Sequence, residues 1–100
     1  MQLAKIIGSM VSTRKSDRLH GLKLLIAVQL DLDTLEEKGA PFVTVDTVGA
    51  GEGEVVMLAG GSSSRQTDLT KNTPVDSSVI GIVDRVDILG KRVFYKPEGL

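Results

Sequence analysis

Cysteine and tryptophan are absent, histidine occurs once, at His20, and the only aromatic residues are Phe42, Phe94 and Tyr95. Each scarcity excludes something. Without cysteine there is no disulfide framework and no thiolate metal site. One histidine is too few for a histidine-rich metal site and leaves no Cys/His dyad. Three aromatics cannot build the stacking platforms that bases or sugars require. Apolar runs are short. Leu24–Val28, among the longest, is far below the length that crosses a bilayer. The opening segment Met1–Gly8 has no extended apolar stretch of the kind that directs secretion, so a cytoplasmic location is expected. Charge of one sign is missing too: 12 Lys and Arg stand against 13 Asp and Glu, for a net charge of −1. Nucleic-acid binding needs a basic excess, and none is present. No cofactor, metal, membrane or nucleic-acid partner is predicted.

What is present is a 100-residue chain with 41% hydrophobic and 25% charged residues, which fits one globular domain. Its core must come from Val, Ile and Leu. A domain this small buries only about two-thirds of its unfolded surface, so help from neighbouring subunits is expected.

The residues fall into short β-like blocks separated by Gly, Ser, Asp and Pro. They are Leu3–Val11, Leu22–Leu32, Phe42–Val48, Val55–Leu58, Val79–Leu89 and Val93–Tyr95. In the second block Leu24, Ile26, Val28, Leu30 and Leu32 keep strict period two, which predicts a strand with these residues on its buried face; a helix is the competing reading, because Leu22, Leu25, Ile26 and Gln29 also line up at helical spacing. Thr34–Gly39 reads as a hairpin loop or one loose turn, and Arg65–Asn72 as one helical turn at most, stopped by Pro74. Asp84 is out of pattern in the fifth block. Five or six short strands at this spacing predict an all-β fold, a small closed or nearly closed barrel with at most a short helix. The domain is expected to span residues 1–96, with 97–100 as a tail.

Several motifs invite chemistry. Gly49-Ala50-Gly51-Glu52-Gly53-Glu54 is glycine-rich, but its third Gly comes too early for a dinucleotide fingerprint, Val55 opens a strand rather than a helix, and the glutamates repel anions. A tight turn with positive φ at glycine, or close backbone approach to a neighbouring subunit, are the readings left. Gly60-Gly61-Ser62-Ser63-Ser64-Arg65 lacks the Gly-x-Ser-x-Gly elbow, and only His20 could serve as base. Asp31 and Asp33 are placed on one strand face, compatible with acid–base work and equally with a solvated face. Arg65 is a candidate for a bidentate pair with Asp46, Asp76 or Asp84, or else a surface residue. Arg14, Lys15, Arg18, His20 and Lys23 form a basic cluster: a solvated loop or a docking loop for an acidic partner surface. Arg85, Lys91, Arg92 and Lys96 make a looser second one.

Taken together and in order, Leu3-Ala4-Lys5-Ile6-Ile7-Gly8, Val11-Ser12-Thr13-Arg14-Lys15, Gly21-Leu22-Lys23-Leu24-Leu25, Asp46-Thr47-Val48-Gly49-Ala50-Gly51-Glu52-Gly53-Glu54, Gly61-Ser62-Ser63-Ser64-Arg65, Pro74-Val75-Asp76 and Val79-Ile80-Gly81-Ile82-Val83-Asp84 resemble the bacterial microcompartment vertex proteins of the EutN/CcmL family. Ser64 and Ser77-Ser78 depart from the usual pattern by small-for-small changes. The resemblance implies an OB-like barrel assembling into a cyclic pentamer that closes the vertices of a polyhedral shell, carboxysome- or metabolosome-type, around enzymes. It implies a structural protein, not an enzyme, whose partners are its own copies and the hexameric and trimeric shell tiles. On that basis Asp46, Gly49, Gly51, Gly53 and Arg65 are expected at the subunit interface. Gly61, Ser62, Ser63 and Ser64 are expected at the axial pore, and Arg14, Lys15 and Arg18 at the contact with facet tiles. The alternative is an OB-type module that binds nucleic acid or a small ligand.

Overall fold

The structure is a computed structural model that describes residues 1–12, 21–60 and 76–96. Five strands close a barrel: β1 (Gln2–Met10), β2 (Lys23–Leu30), β3 (Glu37–Asp46), β4 (Val55–Gly60) and β5 (Ser77–Ile82). Their order is β1-β2-β3-β5-β4, with β4 returning to β1. All pairings are antiparallel except β3–β5, which is parallel and joins only Val45 to Ser78 and Asp46 to Val79. Two further strands, β6 (Arg85–Ile88) and β7 (Lys91–Tyr95), pair only with each other. The predicted all-β barrel is therefore present, and none of the described residues is helical.

The barrel is narrow, and its filling matches. Ala4, Ile6, Leu25, Ala27, Ala50, Val56, Leu58 and Val79 form the inner cluster, with Phe42 and Ile82 packed against it. Alternating small and branched side chains suits the bore of a five-stranded barrel, which has little room for rings.

Three expectations need correction. In β2 the inward residues of the first half are Leu25 and Ala27, at 2% and 0% exposure, not Leu24 and Ile26. The phase then slips, and Val28 and Leu30 are the buried pair. The slip coincides with a bulge: Ala27 faces Phe42, yet Gln29 faces Lys38, so Gly39, Ala40 and Pro41 stand opposite Val28 alone. A bulge bends the strand and turns its faces over. The unbroken period of two among Leu24–Leu32 spans that switch, so it does not mark one face. Leu32, at 56% exposure, lies beyond the strand altogether.

Secondly, Asp31 and Asp33 are not on a strand. β2 stops at Leu30, and Asp31 Oδ1 accepts hydrogen bonds from the Asp33 N–H at 2.9 Å and the Thr34 N–H at 3.4 Å. The connection is a tight turn over residues 31–36, closed by the Leu35 N–H to the Asp31 carbonyl at 2.8 Å, and β3 starts at Glu37. Asp31 is a turn former of the Asx kind. Thirdly, Val79–Leu89 is not one strand. It breaks at Val83–Asp84, where the chain leaves the barrel and begins the β6–β7 hairpin. Asp84, the residue out of pattern, marks the break. The predicted tail, residues 97–100, and the turn predicted at Arg65–Asn72 lie outside the described residues.

Candidate assembly surface

The glycine-rich segment is a self-contained double turn between β3 and β4. Asp46 closes β3 and is 7% exposed; its Oδ1 accepts the N–H groups of Val48 at 3.0 Å and Gly49 at 3.1 Å. Gly49 then takes φ +82°, in the left-handed region that favours glycine. Thr47 Oγ1 donates to the Val79 carbonyl at 2.6 Å and ties this turn to β5. Ala50 is fully buried and plugs the barrel core. Its carbonyl accepts Lys23 Nζ at 3.2 Å. The second turn is fixed by Glu54, whose Oε1 accepts the Gly51 N–H at 2.6 Å, while the Gly53 N–H reaches the Ile6 carbonyl at 2.7 Å. Gly53 has φ +89°.

Glu54 Oε2 takes a second partner, Lys96 Nζ at 2.7 Å, just past the end of β7. The ammonium and the Gly51 N–H hold the Glu54 carboxyl below the usual range, and the carboxylate holds Lys96 above its own. The Lys96 N–H also donates to the Asp84 carbonyl at 2.8 Å, closing the base of the hairpin, and the Val83 N–H donates to the Val55 carbonyl at 2.8 Å. One short run, Glu54 and Val55, thus anchors both ends of the hairpin to the barrel.

Of the readings left open for the glycines, this geometry bears out the tight turn. The N–H groups of Gly49, Gly51 and Gly53 are committed to Asp46, Glu54 and Ile6. No fan of free donors points outward, so the segment is a capped turn and not a phosphate cradle. The demand for glycine falls on Gly49 and Gly53. Gly51 has no left-handed φ, and a Cβ there would meet only Glu54 Oε1, at 3.4 Å. Of the predicted interface residues, the structure brings Asp46, Gly49, Gly51 and Gly53 into this one double turn. Arg65, Gly61, Ser62, Ser63, Ser64, Arg14, Lys15 and Arg18 lie outside the described residues. Glu54, Lys96, Lys23 and Thr47 were not singled out as site residues from sequence. Lys23 and Lys96 were counted only as members of basic clusters, because partners 27 and 42 residues away leave no local signal.

A small closed five-stranded barrel with an appended hairpin defines a class, the compact all-β barrel modules. Within it, the family model described as "Ethanolamine utilisation protein EutN/carboxysome" matches residues 1–84, and the chain belongs to that EutN/CcmL family. It is 46% identical over 87 residues to the microcompartment shell vertex protein GrpN of Rhodospirillum rubrum, covering 87% of this chain and 97% of the relative. It is 43% identical to the shell vertex protein EutN of Salmonella typhimurium, covering 96% of each. Among solved structures, a carboxysome subunit CcmL superposes with a TM-score of 0.91 at 38% identity, over 97% of this chain and 100% of that one. The pentameric shell protein GrpN superposes at 0.80 and 45% identity, over 89% and 100%.

Proposed function

We propose that this chain is a structural shell protein that forms a pentamer and caps the vertices of a bacterial microcompartment in the cytoplasm, with no catalytic role. The observation that carries the reading is the match along nearly the whole chain to shell vertex proteins, one of them described as pentameric. Relatives of both carboxysome and other microcompartment types match, so the reading is of a vertex piece in general. The domain is taken as residues 1–96, followed by a short tail. Asp46, Gly49, Gly51, Gly53 and Arg65 are assigned to the subunit interface, Gly61–Ser64 to the axial opening, and Arg14, Lys15 and Arg18 to hexameric and trimeric facet tiles. The double turn supports the first assignment: its inward polar groups satisfy one another, so it presents a fixed surface without further ordering cost.

Native mass spectrometry of the purified protein tests the proposal. A discrete mass of five chains is the expected result. A stable monomer would overturn it and bring forward the OB-type binding module.

A further inference from the structure

The β6–β7 hairpin is an unfinished piece of structure. It shares no ladder with the barrel, and a lone two-stranded hairpin is marginal in water. Its faces differ. On one, Arg85 and Arg92 bracket Asp87, with Nε to carboxylate distances of 3.2 and 3.6 Å, and the Arg92 guanidinium stacks 5.0 Å from the Tyr95 ring centre. The other carries Val86 opposite Phe94, with Ile88 beyond. The two-residue turn at the tip is Leu89-Gly90, with φ +50° and +79°, between paired Ile88 and Lys91. Positive φ at both positions is the type I′ pattern, whose first place Asn or Asp fills readily and a bulky apolar side chain does not. Leu89 occupies it, 100% exposed. A leucine held in a costly conformation and projected into water does nothing for its own chain.

At the root of the hairpin lies a complementary feature. Between β6 and the outer face of the barrel runs an open groove of about 620 Å³, whose apolar floor of Leu3, Leu32, Met57 and Val86 is rimmed by Gln2, Gln29, Lys38, Arg85 and Asp87. Leu32 is 56% exposed and Met57 38%. The tip does not turn back into this groove: β6 is extended and carries Leu89 away from the barrel, about 13 Å along the strand from Arg85 at the root. Tip and groove are different patches on one chain, as a head-to-tail ring interface requires.

We propose that Leu89 is an intersubunit anchor: the hairpin of one copy seats its tip in the groove at the root of the next copy's hairpin. The inference rests on the pentameric reading above, and it names the second copy as the occupant.

Because the chain has no cysteine, disulfide trapping reports this contact cleanly. Two double variants, Leu89→Cys with Met57→Cys and Leu89→Cys with Leu32→Cys, are oxidised and run on a denaturing gel. At least one should give a covalent ladder ending at five chains, while the single variants stop at two or fewer. In parallel, Leu89→Asn suits the turn better yet removes the apolar anchor. It should raise the concentration at which the ring dissociates by about tenfold or more, without lowering the thermal stability of the barrel. A ring of five with no ladder from either pair and unchanged dissociation for Leu89→Asn would overturn the anchor and leave the pentamer standing. A ladder that stops at two chains, or a link within one chain, would overturn it as well. A parent protein that is monomeric in native mass spectrometry would remove the pentameric reading and the anchor together.

Discussion

The barrel and the hairpin are built from similar residues and solve opposite problems. In the barrel every strand has two neighbours, and Ala4, Ile6, Ala27, Val56 and Val79 are wholly inaccessible. In the hairpin both strands have a free outer edge, Val86, Ile88, Val93 and Phe94 are only half-buried, and Leu89 is bare. The barrel's stability is internal. Among the described residues the hairpin's anchoring is at its base, at Val83, Lys96 and Glu54, and its apolar face is only half covered. Substitutions in the two regions should therefore report on different equilibria: folding for the barrel core, association for the hairpin tip and for the outer surface of the double turn.

The largest effect is expected from the core. Leu25→Ala removes a side chain with 2% exposure from a narrow barrel that cannot collapse around the gap, and should cost about 2–5 kcal/mol. Thermal unfolding should show the loss equally in assembled and dissociated protein. A loss confined to the assembled form would contradict the view that the barrel is self-sufficient.

That core was only partly legible in the sequence. The strand blocks at Leu3–Val11 and Val55–Leu58 were readable, because β-branched and apolar residues bounded by glycine and polar residues leave few alternatives. The face of β2 was not. Leu24–Val28 is apolar at every position, so periodicity has nothing to choose between, and the bulge opposite Val28 is set by Gly39-Ala40-Pro41 on another strand. The candidate site divides the same way. The glycine segment declared itself as a turn, whereas the Lys96–Glu54 and Lys23–Ala50 contacts depend on tertiary closure. The hairpin's second strand was legible as the block Val93–Tyr95, whereas its first was merged with β5 and marked only by the misplaced Asp84.

The next effect lies in the double turn. Gly53→Val forces a β-branched residue to φ +89°, a strain of roughly 1–3 kcal/mol. Gly51→Ala should cost less, because its backbone is not left-handed and the added Cβ meets only a carboxylate oxygen. Urea unfolding of the two variants side by side checks the order. If Gly51→Ala were the more damaging to folding, the left-handed φ values would not be what holds the turn. If it folds normally but fails to assemble, the turn's outer surface is the part that matters between subunits.

A finer probe is the link between the regions, the Glu54–Lys96 pair. The folded-state pKa of Glu54 lies below its ordinary value, so its stabilisation is fully present above the unfolded pKa and is lost as the pH falls through the folded one. Lys96 is shifted up, so its share is present below its unfolded pKa and is lost only as the pH rises through the raised value. Stability should therefore fall in acid, at or below the ordinary carboxylate range, and again only in strong alkali, with a plateau around neutrality. Glu54→Gln should flatten the acid limb while keeping an acceptor for the Gly51 N–H. An unchanged acid limb in that variant would place the titration on other carboxylates.

The smallest effect should come from the hairpin's polar face. Asp87→Asn removes one carboxylate from two exposed guanidinium contacts of 3.2 and 3.6 Å. Exposed ion pairs of this kind contribute about 0–1 kcal/mol and are screened by salt. The melting temperature of the barrel should not move measurably, since no ladder carries the hairpin's strain into it. Dissociation of the ring should shift modestly at low salt and not at all at high salt. A large, salt-independent loss of assembly would mean that Asp87 is buried against a neighbouring subunit, and that the hairpin presents its polar face, not its apolar one, to the next copy.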